Sequence, residues 1–501
     1  MQFNTSEPFD INLEVSYPLA KYAAEHWIIH VQSGGTTKSQ SSSAFTLMMK
    51  LLTRENTAFV NWVRLYNIDQ LYFRNLQKQR VDIAKPLYYA SLAGLTEATY
   101  ALLEMRADIN AHGGTYGNAL QAAASTGHFA IVKLLIEKGA DVNMQGGDYG
   151  NALQAASSQG HEAIAKLLIE NGADVNLQGG CYRNTLQAAS YQGNASIVKL
   201  LIETGADVNA QGGYYGNALQ TASYQGHEAI VKLLIENGAD VNAQGGYYKN
   251  VLQAALFEGH EAIAELLIEN GTDINAQGGE YGNALQTASY HGNEAIAKLL
   301  IKNGADINVL GGYYGNALQT ASYQGHKAIA KLLIENEADV NAQGGKYGNA
   351  LQTVSYQGHK AIAKLLIENG ADVNAHGGKY GNALWAAISK GHEEIAILLI
   401  ENGASIKTLQ GYYGNSLQTA SYQGNEAIVK LLIENGADVN AHGGKYGNAL
   451  WAALSKGHEE IAILLIENGA SIKTLQEYYG NSLQTASYKV HEAIAKLLIP
   501  I

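Results

Sequence analysis

The chain has 501 residues, 47% of them apolar, a formal charge of −12 and one cysteine. That length exceeds what a single hydrophobic core supports, so several domains or an extended array are expected, and the apolar content excludes a disordered tail. The acidic balance argues against a nucleic-acid binder, which needs surplus Lys and Arg to meet phosphates, and favours a basic partner. Cys181 alone allows no intrachain disulfide and fits a reducing compartment. The opening MQFNTSEPFD carries acids and no apolar core, unlike a signal peptide, and no stretch nears the ~18 apolar residues of a membrane span. A soluble, cytoplasmic protein is expected.

Residues 1–80 form one region. "YPLAKYAAEHWIIHVQ" (17–32) and "AFTLMMKLLTRENTAFVNWVRLYN" (44–67) read as amphipathic helices joined by the polar "SGGTTKSQSSS". Packed together, they can cover the apolar edge of whatever follows. Within the polar stretch, "GGTTKS" (Gly34 to Ser39) resembles a phosphate-binding loop. The Walker pattern, however, needs a glycine directly before Lys-Ser and a buried strand ahead. Thr37 precedes Lys38 and the lead-in is helical, so no nucleotide cofactor is expected.

From residue 81 a 33-residue period takes over. Its first glycine, or a substitute, falls at Gly113, Gly146, Gly179, Gly212, Gly245, Gly278, Gly311, Gly344, Gly377, Gln410, Gly443 and Gln476. With the diverged copy at Lys85 to His112, this makes about thirteen repeats, the signature of a solenoid in which each repeat buries its apolar face only against neighbours. In the copy starting at Gly212, Asn217 is placed to cap a short helix from Ala218 to Gln225 that ends at Gly226. "HEAIVKLLIENG" supplies a second amphipathic helix closed by Gly238. "ADVNAQGGYYG" then reads as a hairpin-like loop. Arg106 and Glu337 stand where other copies close the second helix with glycine, and Val490 where they close the first; a side chain in that left-handed conformation costs about 1 kcal/mol.

The unit "NALQTASYQGHEAIVKLLIENGADVNAQ" resembles the ankyrin repeat over residues 81–501, which implies an all-α solenoid of stacked helix pairs. One departure is systematic. Where the ankyrin pattern has Thr-Pro-Leu-His, this chain has Asn-Ala-Leu-Gln, so the Gln must replace the usual loop hydrogen bonds. The order of "YPLAKYAAEHWIIH", "AFVNWVRLYN", "KPLYYASLAGL" and the GG-x-YGNALQ copies also resembles the region joining the NACHT module to the ankyrin tail of filamentous-fungal NOD-like receptors. That resemblance implies the sensor part of a receptor for non-self or pathogen molecules; a free-standing ankyrin adaptor is the alternative.

No catalytic or metal-binding residues are expected. "GHEAIAKLL" has the His-Glu of zinc proteases but lacks the second histidine, since Ala165 stands four residues after His161. Cys181 has no histidine at a fixed spacing.

A protein partner is expected to meet the positions that vary while the frame repeats. One is the residue x of GG-x-Y, at Tyr214, Tyr247, Tyr313 and Tyr412 among others; the Tyr after it never changes and is assigned to packing. The other lies at the end of the first helix: Tyr191, Tyr224, Gln225, Phe257, Tyr290, Tyr323, Tyr356 and Tyr422. In the ankyrin family these positions face the groove, and tyrosine offers a large amphipathic contact at low entropic cost; stacking of these rings repeat on repeat along the groove is the alternative. Thirty-one Tyr against seven Phe fits exposed rings. Residues 375–435 are echoed almost verbatim by 441–501, as by a fresh duplication, and the chain stops at "KLLIPI" inside a second helix, as a truncated product would.

Overall fold

The computed structural model describes residues 22, 24–29, 43–53, 57–66, 68–69, 83–406, 414–445 and 447–471. It divides the chain into two compact blocks, residues 1–258 and 259–501. Within each block the described array is a succession of paired helices, and hairpins closed by single antiparallel bridges such as Gly212 to Gly216 stand where a sheet would need strands. Among the described residues no helix is long and apolar enough to cross a membrane.

Each pair follows from its local sequence. Asn217 Oδ1 accepts the Gln220 amide at 2.8 Å, and Gln220 Oε1 accepts the Asn217 amide at 3.1 Å. These reciprocal bonds satisfy two donors that the first turn would otherwise leave unpaired. The helix Ala218–Gln225 is built of small residues that are buried as far as Ser223, and it ends at Gly226 with φ 79°. Its partner Glu228–Glu236 buries Ile230, Val231 and Leu234 on one stripe and leaves Lys232 and Glu236 in solvent. The diverged copy before Gly113 forms the same pair, Pro86–Leu92 and Thr96–Glu104.

The Gln that replaces the ankyrin His does the expected work and more. Its Nε2 reaches into the next repeat: Gln319 donates to Ala342 O at 2.7 Å and Gly348 O at 2.6 Å, while its Oε1 accepts from Asn316 N at 2.7 Å. Gln121, Gln187, Gln352 and Gln418 make equivalent donations. In the first pair Tyr88 holds this position. Its hydroxyl donates to the buried Asp69, accepts from Tyr116 N at 3.2 Å, and the other Asp69 oxygen takes Thr115 N at 2.8 Å. Burial and the Asp69 charge push the Tyr88 phenol well above its usual range.

Two further ladders tie neighbours. Asn143 accepts from Asp174 N at 2.7 Å and donates to Gly172 O at 2.9 Å, a pattern repeated at Asn176, Asn308 and Asn341. The histidine that opens each second helix turns back to the preceding repeat. His359 Nε2–H donates to Tyr323 O at 3.1 Å, and Asn194 makes the same bond to Ser157 O at 3.0 Å.

That ladder explains where substitutions for glycine occur. At Gly325 (φ 84°) a Cβ would stand 2.6 Å from the His359 ring, so both the backbone and the contact demand glycine. At Gly370, which closes a second helix, a Cβ would meet nothing within 4 Å. Only conformational strain opposes a side chain there, and Arg106 (φ 61°) and Glu337 (φ 68°) are left-handed as expected. Arg183 and Lys249, both at φ 70°, are two further cases, in hairpins. Val490 lies outside the described residues.

Before the array, residues 24–29 are helical, and the expected helix over 44–67 is instead two, Ser43–Thr53 and Thr57–Leu65. Trp62 Nε1 donates to Ala24 O at 3.1 Å, and Phe59 and Trp62 meet the fully buried Tyr89 edge-on at 5.6 and 5.7 Å. The apolar face of the first pair is thereby covered.

Two outcomes follow. Glu337→Gly will raise stability to urea by about 1 kcal/mol, whereas Gly325→Ala will lower it by more than that, because a clash adds to the strain; equal effects would refute the His359 contact. Burial holds the His128 imidazole below its ordinary value, against the opposing bond to Leu92 O. Unfolded chains therefore take up the proton first, and this stability is full above the unfolded value of about 6.5 and lost as pH falls through it toward the folded one. Thermal melts from pH 7.5 to 5 should show a smaller acid loss in His128→Asn, which keeps the bond as Asn194 does.

Candidate protein-binding surface

The hairpins present their x residues on a backbone ladder. Asp148 N donates to Thr115 O at 2.9 Å, Cys181 N to Asp148 O at 2.9 Å, and Tyr247 N to Tyr214 O at 2.8 Å. In the second block Tyr313 N donates to Glu280 O, Lys346 N to Tyr313 O and Lys379 N to Lys346 O, at 3.0, 3.2 and 3.1 Å. The tip backbone is thus fixed whichever side chain it carries. Tyr214 and Tyr247 are 56% and 50% exposed and stack at 5.1 Å, 13° from parallel, and Tyr313 is 41% exposed.

The helix-end residues are placed differently. Tyr191 lies between the hairpin rings Tyr182 and Tyr215, at 5.2 and 5.5 Å, and Tyr224 between Tyr215 and Tyr248, at 5.3 and 4.9 Å. Phe257 packs on Tyr248 at 5.0 Å. In the second block Tyr290 bridges Tyr281 and Tyr314, Tyr323 bridges Tyr314 and Tyr347, and Tyr356 bridges Tyr347 and Tyr380. Each of these tyrosines is a half-buried rung joining its own hairpin to the next, and Phe257 and Gln225 are half-buried too. The groove set read from the sequence therefore separates into free tips and ladder rungs. Tyr422 is half-buried with Lys456 over its ring, and Tyr412 lies outside the described residues.

Ladder packing raises the hairpin phenols. Burial pushes up Tyr215, Tyr248, Tyr314, Tyr347 and Tyr380, with neighbouring phenols adding to it. Tyr356 goes the other way, lowered because it accepts hydrogen bonds first from Tyr380 and then from Lys390. That lysine belongs to a group the tyrosine-centred reading passed over: Lys346, Lys379, Lys390 and Lys456 stand at the same variable positions, exposed, with ammonium groups 4.6–5.3 Å from tyrosine centroids. The signal was present in the repeat comparison, where Lys346 and Lys379 replace tip tyrosines and Lys390 and Lys456 stand where other repeats carry Gln.

The residues weighed for chemistry have structural placements. His161 Nε2–H donates to Ser125 O at 3.2 Å across a repeat boundary, and its ring fills the space beside Gly127. Exposed Cys181 sits in the tip ladder with its thiol pushed up by partial burial. Among the described residues no group of three or more His, Cys, Asp or Glu gathers as a metal site. Gly34 to Ser39 lie outside the described residues.

A family model for ankyrin repeats, built of three copies, matches in overlapping stretches that together run from residue 45 to residue 501. The chain is similar to the azaphilone pigments biosynthesis cluster protein L of Monascus ruber, 40% identical over 133 residues that make up 24% of this chain and 27% of that protein. The similarity therefore spans about a quarter of that relative's length. The human ASB11 ankyrin repeat domain aligns with 23% identity and a TM-score of 0.40, covering 44% of this chain and 99% of that one. With the family model matching from residue 45 onward, the chain belongs to the ankyrin repeat family.

Proposed function

We propose that the array is a non-enzymatic protein-recognition scaffold acting in the cytoplasm as the ligand-recognition part of a fungal NOD-like receptor, with the hairpin tips as its contact surface. The observation that carries the scaffold reading is the separation of frame from display. Buried Gln, half-buried His and surface Asn side chains bond neighbouring repeats together, while tip residues as different as Asp148, Tyr214 and Lys346 sit exposed on hairpins joined by backbone bonds within each block. A surface built this way changes specificity without changing fold. Exposed Tyr214, Tyr247 and Tyr313 supply the rigid amphipathic contacts that protein interfaces favour. The receptor assignment rests on the resemblance of the phrases before the array, and a genomic frame continuous with residue 1 and encoding a Walker loop would support it; its absence would favour the free-standing adaptor.

The tips can be tested apart from the rungs. The immobilised full chain should retain a partner from source-organism lysate, and Tyr214→Ser/Tyr247→Ser/Tyr313→Ser should reduce that recovery about tenfold while leaving the melting temperature near its original value. Unchanged recovery would contradict tip contact. Tyr224→Ala, by contrast, should lower the melting temperature, since its ring joins two hairpins.

A further inference from the structure

The second block divides its charges by face. Among its described residues the carboxylates stand on the second helices and the turns after them, as at Glu294, Glu335, Asp339, Glu368 and Glu394. After Glu280 the tips and the ends of the first helices carry no Asp or Glu among the described residues, and they carry Lys346, Lys379, Lys390 and Lys456. The net charge of −12, which favours a basic partner, averages over these two faces and hides the difference.

The lysines of the two faces are partnered differently. On the second helices Lys298 pairs with Glu294, Lys331 with Glu335, Lys360 with Glu394 and Lys364 with Glu368, at 2.5–3.7 Å, while Lys302, Lys327 and Lys430 have no carboxylate within 4.0 Å among the described residues. At the tip face Lys390 and Lys456 lie 4.6 Å from the centroids of Tyr356 and Tyr422, and Lys346 lies 4.8 Å from that of Tyr313. A ring attracts a cation without neutralising it, so each ammonium is held in place with its charge still available to an anion. Lys346 also donates to the Tyr313 hydroxyl, which fixes it further.

Peptide carboxylates fit this face better than nucleic-acid bases. Base stacking needs open aromatic faces, yet Lys390 lies over Tyr356, and Tyr356 is also flanked by Tyr347 and Tyr380 at 5.1 and 4.5 Å. Spacing agrees. Rings of successive hairpins, Tyr347 and Tyr380, are 6.2 Å apart, while an extended chain advances about 6.8 Å in two residues and turns alternate side chains to one side.

The geometry points to an acidic, extended polypeptide segment as the occupant of this face, its carboxylates on one side of the strand meeting Lys346 and Lys379 on successive hairpins and Lys390 and Lys456 at the ends of first helices. This rests on the scaffold reading above and specifies the partner chemistry for the second block.

The test uses the full chain and a fluorescein-labelled peptide of alternating Glu and Ser, with alternating Lys and Ser as control, followed by anisotropy at low and high salt. The Glu peptide should bind, weaken with salt as charge pairing requires, and lose about tenfold or more in affinity when Lys346, Lys379, Lys390 and Lys456 are all changed to Glu. Reversing Lys298, Lys331, Lys360 and Lys364 instead, which alters net charge equally, should change it by no more than about twofold. All eight side chains are exposed, and circular dichroism would verify that both variants keep their helices. No binding, or equal loss in both variants, would overturn the proposal. Tighter binding of an oligouridylate with the same lysine dependence would also overturn it and assign the face to nucleic acid. A lysate partner lost with the tip tyrosines but indifferent to the tip-face lysines would refute the acidic occupant and leave the scaffold standing; recovery of no partner would refute the scaffold itself.

Discussion

A buried glutamine amide at the third position of the first helix, a place that Trp385 and Trp451 take in two repeats, is the interaction on which most of the stacked repeats depend. In helices such as Ala317–Gln324 its oxygen closes the cap of its own helix and its nitrogen holds carbonyls of the following hairpin, as Gln319 does with Asn316, Ala342 and Gly348. Such a group is expensive to bury unless fully bonded, and here the bonds are met only when two repeats are in register. The polar core thus specifies the stacking distance and orientation, while the apolar stripes of the second helices supply non-directional burial. The Asn and His ladders repeat the same device at two other levels of each boundary.

Fixing the frame in this way frees the tips. Because the backbone bonds between hairpins do not involve the x side chain, Thr115, Asp148, Cys181 and Tyr214 occupy equivalent places. The ring ladder beneath them serves stability, and its tyrosines are legible as a separate layer only once their contacts are seen. Charge follows the same logic in the second block, where glutamates on second helices pair locally and the tip-face lysines rest on rings. A repeat protein can therefore be acidic as a whole and cationic along one edge.

Much of this was legible in the sequence because the code is local. The 33-residue period, the Asn caps at Asn217 and Asn316, the glycine stops and the strained Arg106 and Glu337 all follow from residue type and spacing. The need for Gln220 to replace the ankyrin loop bonds was legible too, because a buried loop must be satisfied somewhere. What was not legible depends on which atoms meet across repeats. The ends of the first helices read as free groove residues because tyrosine is common at interfaces; the hairpin rings that enclose Tyr191 and Tyr323 lie in adjacent parts of the fold that composition does not place together. Tip lysines were visible as variation, but their pairing with rings instead of carboxylates needed coordinates.

The account stands or falls on the glutamine amide, and native-state hydrogen exchange on Gln319→Leu tests it most directly. Leucine keeps the volume and removes all three bonds. The account predicts loss of protection at the hairpin closed by Gly344 and Gly348 and at the cap of Asn316, equivalent to about 1–3 kcal/mol, with hairpins two repeats away unchanged. Protection that is unaltered at Gly344 and Gly348, or lost uniformly along the second block, would contradict it.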